Sequence, residues 1–196
     1  NKLVAMAVMD KLRFTEASRY ESMDPRLAAQ ALRATLKQLP KTPFQLTTEL
    51  STLLEEFILS ATDNITFAQR VVNSITRLQI GASLAIPSGC IGHATSILMT
   101  RTGDATFRLV HFNTGSGLIQ WHKRWEETNR YQTYYQFDNI PTQSLTDPAR
   151  WRSLGDVIRL SNGMQHTYDL INELSEGGTL APPSADPEDY EAKQAS

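Results

Sequence analysis

The sequence predicts an α+β fold, in which helices and strands occupy separate blocks of the chain. Residues 1–85 have apolar residues at helical spacing, residues 86–140 form a β-meander of strand-like runs and tight turns, and helical periodicity returns over 141–176. Segregated blocks of this kind favour an antiparallel sheet with helices packed against it. We therefore expect one α+β domain over 1–176: an N-terminal helical bundle, a small antiparallel β-sheet and C-terminal helices.

The N-terminal block consists of four predicted helices. Apolar periodicity predicts helices over 3–20, 26–39 and 46–59, and Asp24-Pro25 is typical of a helix start. Asp63 or Asn64 caps a fourth helix, which we expect to run from Phe67 to about Leu84. The apolar stripes of these helices favour core packing, and a partner-binding helix face is the alternative.

Strand patterns begin after Pro87-Ser88-Gly89, which breaks the helical period. Runs over 94–100 and 106–112 flank a turn at Gly103-Asp104, as in a β-hairpin. The run over 118–121 is interpreted as the start of a third strand. A further strand is predicted over 131–137, because tyrosine, threonine and phenylalanine dominate it, and Pro141 ends it.

The last predicted elements are two helices, over 146–160 and 164–174. From residue 177 to residue 196 the composition changes to glycine, proline, alanine and acidic residues without an apolar period. Such a composition is typical of a disordered tail or linker.

Composition excludes several classes of protein. The 196 residues carry a net charge of −2, so no global positive field attracts nucleic acid or anionic lipid. No apolar run approaches the roughly 18–20 residues that span a bilayer. One cysteine excludes an internal disulfide framework. The first residue is Asn1, and we interpret the chain as a piece of a longer protein.

The only cysteine, Cys90, lies between glycines and three residues before a histidine, in Ser88-Gly89-Cys90-Ile91-Gly92-His93. Small neighbours leave backbone amides accessible, so those at Gly89 and Gly92 are candidates for stabilising a thiolate or an oxyanion. Residues three apart on a straight strand face opposite sides, so Cys90 and His93 meet only if the glycines bend the chain. The alternative is that Cys90 is a small buried packing residue.

His93 and Asn113 form the stronger candidate pair. His93 opens one predicted strand and Asn113 closes the next, and a hairpin turning at Gly103-Asp104 brings these two ends together. The predicted register places Ala94 opposite Asn113, with His93 on the neighbouring rung. An asparagine carbonyl there can hold an imidazole in one tautomer. An ordinary Asn-Gly turn without function is the alternative.

Two further histidines, His111 and His122, are accessory candidates near this pair. A zinc site built from His93, His111 and His122 is conceivable by residue type, but the chain lacks short-spaced pairs such as His-Glu-x-x-His. We therefore predict no metal and no other cofactor.

The segment from Gly92-His93-Ala94 through the hairpin to 113–117, Asn-Thr-Gly-Ser-Gly, resembles the histidine half of papain-like cysteine peptidases and their bacterial effector relatives. His93 and Asn113 are the matching positions. The resemblance implies a thiol hydrolase or transferase that acts on a peptide or isopeptide bond, with Cys90 as nucleophile, His93 as base and Asn113 as orienting group.

The sequence departs from that family in its nucleophile. In papain-like order the cysteine opens a helix well before the histidine, whereas Cys90 almost adjoins His93 and no cysteine precedes it. Three explanations stay open: Cys90 reacts in a different geometry, the cysteine lies outside this piece or has been replaced, or the fold is not catalytic. In the last case we expect a protein-interaction domain of a larger bacterial protein. The family resemblance leaves open whether the chain acts in the cytoplasm or is secreted into a host cell.

Overall fold

The computed structural model describes residues 63–91, 93–113, 118–125, 130–157, 160, 163–185 and 190–192. The helices predicted over 3–20, 26–39 and 46–59, and with them most of the expected N-terminal bundle, lie outside these residues. The described helices are α1 (Asn64–Arg77), α2 (Leu118–Trp121), α3 (Thr142–Leu145), α4 (Pro148–Val157) and α5 (Met164–Leu174). The strands are β1 (Ser83–Cys90), β2 (His93–Arg101), β3 (Thr106–Phe112), β4 (Arg130–Gln132), β5 (Tyr134–Pro141), β6 (Thr179–Leu180) and β7 (Tyr190–Ala192).

Five strands form one antiparallel sheet in the order β1-β2-β3-β5-β6, and β4 pairs with β7 in a second, two-stranded sheet. Helices and an antiparallel sheet therefore occur together in the described residues, and the predicted mixed α+β class is confirmed. Helices α1, α4 and α5 bury their apolar side chains together with those of the sheet in one core. In the described part of the chain no helix has the length and apolar character needed to cross a bilayer.

Helix α1 has one of the two predicted caps, but it begins at Asn64, before the expected start at Phe67. Asp63 is the N-cap, and its carboxylate accepts a hydrogen bond from the N–H of Thr66 at 3.0 Å. The helix ends at Arg77, however, and the expected extension to Leu84 is wrong. Gly81 adopts a φ of 83° in the intervening turn, a value that glycine reaches without strain. From Ser83 the chain forms strand β1 instead. Along most of this strand buried and partly exposed side chains alternate, with the period of two that is typical of a strand.

Strand β1 contains the Pro87-Ser88-Gly89 segment that was interpreted as a break. Proline lacks an N–H donor, but β1 lies at the edge of the five-stranded sheet, where a missing donor on the outer side breaks no ladder. The strand pairs with β2 from Ser83–Thr100 to Cys90–His93. Only two residues, Ile91 and Gly92, therefore separate the paired ends of this hairpin.

Strands β2 and β3 form the predicted hairpin around Gly103-Asp104, and the strands run within a residue of their expected bounds. Its turn is closed by hydrogen bonds from the N–H groups of Thr102 and Gly103 to the carbonyl of Thr106. Helix α5 has the bounds that the sequence predicted, and α4 lies inside its predicted range.

Several expectations after residue 113 differ from the structure. The run over 118–121 is the short helix α2, so the predicted third strand is wrong there. The strand predicted over 131–137 is divided at Thr133 into β4 and β5, which belong to different sheets. The segment expected to be a tail or linker contributes β6, which pairs with β5, and β7, which pairs with β4.

Candidate functional site

The inner face of the sheet changes from apolar to polar along its strands. At one end it carries side chains such as Ile86, Ile97 and Leu109, which are fully buried under the helices. Among the described residues, the other end of this face carries six buried side chains that are polar or ionisable: Ser88, Cys90, His93, Thr95, His111 and Asn113. His122, from the chain between α2 and β4, is buried beside them. Burial of polar groups costs free energy unless they are hydrogen-bonded, so this end is a candidate functional site.

His93 and Asn113 meet directly at this end. Nε2 of His93 lies 2.8 Å from Oδ1 of Asn113, and both side chains are buried. This contact confirms the predicted juxtaposition, but the predicted register is wrong by one residue. Ser96 pairs with Phe112, so the ladder leads to Thr95, not Ala94, opposite Asn113. A one-residue shift exchanges the two faces of a strand, and only the observed register puts His93 and Asn113 on the same face.

Tyr168 of α5 extends this pair into a buried network. The amide Nδ2 of Asn113 donates to the Tyr168 hydroxyl at 3.0 Å, and the hydroxyl also forms a short hydrogen bond with Nε2 of His122. Nδ1 of His122 lies 2.6 Å from the backbone carbonyl of Gln132. Trp121 stacks on the Tyr168 ring at a centroid distance of 4.2 Å, which fixes the plane of the ring.

His111 lies beside the network with its own partners. Its Nε2 is 3.0 Å from the Thr95 hydroxyl, which is 2.7 Å from the hydroxyl of Ser88. Its ring meets Tyr168 edge-on at 5.1 Å. The Nδ1 atom of His111 is buried without a hydrogen-bond partner among the described residues. The structure therefore brings both accessory histidines to the site, next to one aromatic ring.

Burial keeps His111, His122 and Tyr168 uncharged near neutral pH. Burial, with a smaller contribution from the charges of His122 and His93, lowers the pKa of His111 to about 3. Burial also lowers the pKa of His122 to about 4, although its hydrogen bond with Gln132 opposes this shift. Burial raises the pKa of Tyr168, against the hydrogen bond from Asn113. Near neutral pH, His111 and His122 are therefore neutral and Tyr168 keeps its proton.

Cys90 is buried, with 2% of its surface exposed, in a small cluster with Val157, Met164 and Tyr168. Burial raises the pKa of its thiol, while backbone hydrogen bonds from Gly163 and Met164, at the start of α5, lower it in part. Near neutral pH the sulfur is thus a thiol and not a thiolate.

Cys90 and His93 are nevertheless neighbours. They are directly opposed residues on paired strands, and opposed residues project their side chains to the same face. The bend that was expected at the glycines is the two-residue hairpin loop: the chain reverses between Cys90 and His93 and does not continue as one straight strand.

The remaining predicted site residues are only partly placed. Gly89 lies within β1, opposite Ala94, with a φ of 120° that favours glycine. Gly92 lies outside the described residues. Over the described ranges, no group of three histidine, cysteine, aspartate or glutamate side chains is arranged to hold a metal ion.

Sequence reasoning missed Tyr168, Gly163 and Met164. The signal for Tyr168 was available in part, because Met164, Tyr168 and Ile171 follow each other at helical spacing and mark the inward face of α5. Its hydroxyl identifies it as a buried residue that needs a partner. The position of the α5 start against Cys90 is a tertiary relationship and has no local sequence signal.

Chemically, the arrangement offers an imidazole oriented by a carboxamide, a thiol on the same face, and two backbone N–H groups at the sulfur. These are the groups that acyl transfer through a thioester requires. Compared with protein-family models and with curated proteins, the sequence matches none.

Proposed function

We propose that this domain is a thiol hydrolase or transferase of the papain-like type, acting on a peptide or isopeptide bond. The observation that carries the proposal is the hydrogen bond of 2.8 Å between His93 and Asn113, on the sheet face that also carries Cys90. In the proposed roles Cys90 is the nucleophile, His93 the general base and Asn113 the group that orients the imidazole. No metal or cofactor takes part.

The reaction begins from the neutral thiol. His93 accepts the thiol proton on Nδ1 while the Cys90 sulfur attacks the carbonyl carbon of the substrate, so the S–C bond forms as the S–H bond breaks. The tetrahedral oxyanion then collapses, the C–N bond breaks, and the protonated imidazole gives its proton to the leaving amine. Water, or a second amine in a transferase, then attacks the thioester carbonyl while His93 takes its proton on Nδ1. The S–C bond breaks, the acyl group leaves as a carboxylic acid or an amide, and the imidazole returns the proton to the sulfur, which restores the thiol.

Because the pKa of the Cys90 thiol is raised, the mechanism requires a general base during the attack. A preformed thiolate would attack without help, whereas a thiol needs the base at the moment of attack. Reactivity at Cys90 therefore depends on His93. The backbone N–H groups of Gly163 and Met164 hydrogen-bond the sulfur in the resting structure. Together with the amides predicted at Gly89 and Gly92, they are the candidate donors for the developing oxyanion.

A second candidate function is a non-catalytic protein-interaction domain of a larger bacterial protein. The burial of Cys90 favours it, because buried cysteines in apolar surroundings are inert. Two exposed apolar side chains lie at the hairpin loop: Ile91 within it and Leu160 beside it, where the Ile91 N–H donates to the Leu160 carbonyl at 3.2 Å. In this case the buried polar network only stabilises the fold.

Alkylation of Cys90 by iodoacetamide separates the two functions. The single cysteine makes the readout unambiguous in the whole chain. If His93 is the base, the His93→Ala variant is alkylated more slowly, by roughly tenfold or more. If the network is only structural, the same variant loosens the packing around Cys90 and is alkylated at an equal or higher rate, which overturns the proposal. His166→Ala is the matched control, because His166 lies on the exposed side of α5.

A further inference from the structure

The buried hydrogen bonds from Gln132 to His93 form one continuous chain. It runs from the Gln132 carbonyl to His122, from His122 to the Tyr168 hydroxyl, from there to Asn113 and on to His93. Each link joins two different side chains or a side chain and the backbone. Both hydrogen-bonding atoms of His122 and of the Asn113 amide are used within it.

The backbone carbonyl of Gln132, at one end of this chain of hydrogen bonds, determines which atom donates in every link. A carbonyl can only accept, so Nδ1 of His122 carries a proton and, in the neutral ring, Nε2 is the acceptor. The Tyr168 hydroxyl must therefore donate to His122, which leaves its oxygen to accept from Asn113. The Asn113 atom that faces Tyr168 is then the Nδ2 donor, and the atom that faces His93 is the Oδ1 acceptor.

The last link reaches His93. Because Oδ1 of Asn113 can only accept, Nε2 of His93 carries the proton, and in the neutral ring Nδ1 carries the lone pair. We infer that His122 and Tyr168 are positioning residues, which select through Asn113 the tautomer in which His93 Nδ1 is the base. The inference rests on the proposed function, since only thiol chemistry uses that base.

Burial and aromatic packing keep the donor and the acceptor of each hydrogen bond in this chain fixed. Burial lowers the pKa of His122 to about 4 and raises the pKa of Tyr168, so neither residue changes charge near neutral pH. The stacked Trp121 ring and the edge-on His111 ring fix the Tyr168 hydroxyl in position. Among the described residues, the titratable side chains that face Tyr168 are His111 from β3, Tyr135 from β5, His122 from the chain after α2 and Cys90 from the end of β1.

The tautomers can be measured without any substrate. Long-range proton–nitrogen correlation spectra of the whole chain, labelled with 15N-histidine, report which ring nitrogen carries the proton. At about pH 8, where an unperturbed imidazole is neutral, we expect the Nε2–H tautomer at His93 and the Nδ1–H tautomer at His122. The Nδ1–H tautomer at His93 in the unmodified protein overturns the inference.

The Tyr168→Phe variant tests the positioning role. It removes the hydroxyl that donates to His122 and accepts from Asn113, and we expect the tautomer ratio at His93 to shift by roughly fivefold, the size of one neutral hydrogen bond. Tyr135→Phe is the matched control, because it also removes a tyrosine hydroxyl. The Tyr135 ring centroid lies 6.4 Å from that of Tyr168, and Tyr135 takes no part in the chain of hydrogen bonds. An equal His93 ratio in both variants overturns the inference.

The same variants distinguish this inference from the proposed function. If both hold, Tyr168→Phe also slows iodoacetamide alkylation of Cys90 and changes its pH profile, while Tyr135→Phe does not. If the tautomers are as expected but alkylation does not depend on His93, the proton order stands and the thiol chemistry fails. If alkylation depends on His93 but its tautomer ratio ignores Tyr168, the thiol chemistry stands and the positioning role fails.

Discussion

Cys90 and His93 are three residues apart in the chain yet stand directly opposite each other on paired strands. The hairpin loop between them has only two residues, so the thiol and the imidazole project from the same face of the sheet. Asn113, twenty positions further along, reaches the same imidazole from β3. Two successive hairpins thus assemble three side chains that the linear sequence separates.

Replacing Asn113 tests how much the buried network contributes to stability. Asn113→Ala leaves the Nε2 donor of His93 without its carboxamide acceptor and the Tyr168 oxygen without its amide donor. Unsatisfied buried polar groups are costly, so we expect a loss of roughly 2–4 kcal/mol in the free energy of unfolding, measured by urea denaturation. Asn73→Ala, at an exposed position of α1, is the matched control. A loss as small as that of the control contradicts the assigned hydrogen bonds.

The neutral histidines predict a loss of stability in mild acid. The folded-state pKa values of His111 and His122, about 3 and about 4, lie below the unfolded value of about 6.5. Their contribution is fully present above about pH 6.5 and is lost as the pH falls towards the folded values. We expect each histidine to cost roughly 2 kcal/mol between about pH 6.5 and pH 5.

The control for this acid effect is the slope of stability against pH. His122→Gln should flatten the slope between about pH 6.5 and pH 5, whatever its absolute stability. The carboxylates of Asp63 and Asp138, whose pKa values are lowered, titrate below this window and do not contribute. A flat profile in the unmodified protein would show that the histidines are solvated or charged.

The buried thiol of Cys90 predicts a loss of stability in alkali. Burial raises the folded-state pKa of Cys90, so its contribution is fully present below the unfolded value of about 8.5 and is lost as the pH rises. We expect the free energy of unfolding to decline between about pH 8.5 and pH 9.5, below the range in which tyrosines titrate. Cys90→Ala should remove this decline. The same slope in the variant and in the unmodified protein would assign the effect to another group.

Local patterns predicted much of the sheet and part of the site. The β2–β3 hairpin and α5 followed from a glycine turn, from alternation and from helical spacing, which are properties of neighbouring residues. Strand β1 was missed because Leu84 also fits the apolar stripe of α1, and only pairing with β2 decides between helix and strand. Tyr168 was missed because its hydroxyl meets Asn113 only after α5 packs across the sheet.

Substitution of Gly163 tests whether the start of α5 keeps the Cys90 thiol buried. A Cβ added there would lie 2.6 Å from Cβ of Cys90 and 2.9 Å from the Val157 carbonyl oxygen, although the backbone φ of −75° suits any residue. Gly163→Ala must therefore displace the start of α5, at roughly 1–3 kcal/mol, and take the Gly163 and Met164 N–H groups away from the sulfur. We expect urea denaturation to show the loss and iodoacetamide to alkylate Cys90 faster.

Gly103→Ala is the matched control for this substitution. Its added Cβ would meet a side-chain atom, the Thr106 hydroxyl, at 2.7 Å, whereas at Gly163 the added Cβ would also meet a backbone carbonyl, which cannot move without the main chain. We expect a smaller loss of stability and no change in the alkylation of Cys90, because the β2–β3 turn lies at the opposite end of β2 from His93. Equal alkylation rates in the two glycine variants would mean that the α5 start does not control access to the sulfur. Faster alkylation in Gly163→Ala alone would identify that contact as the one that keeps the thiol buried.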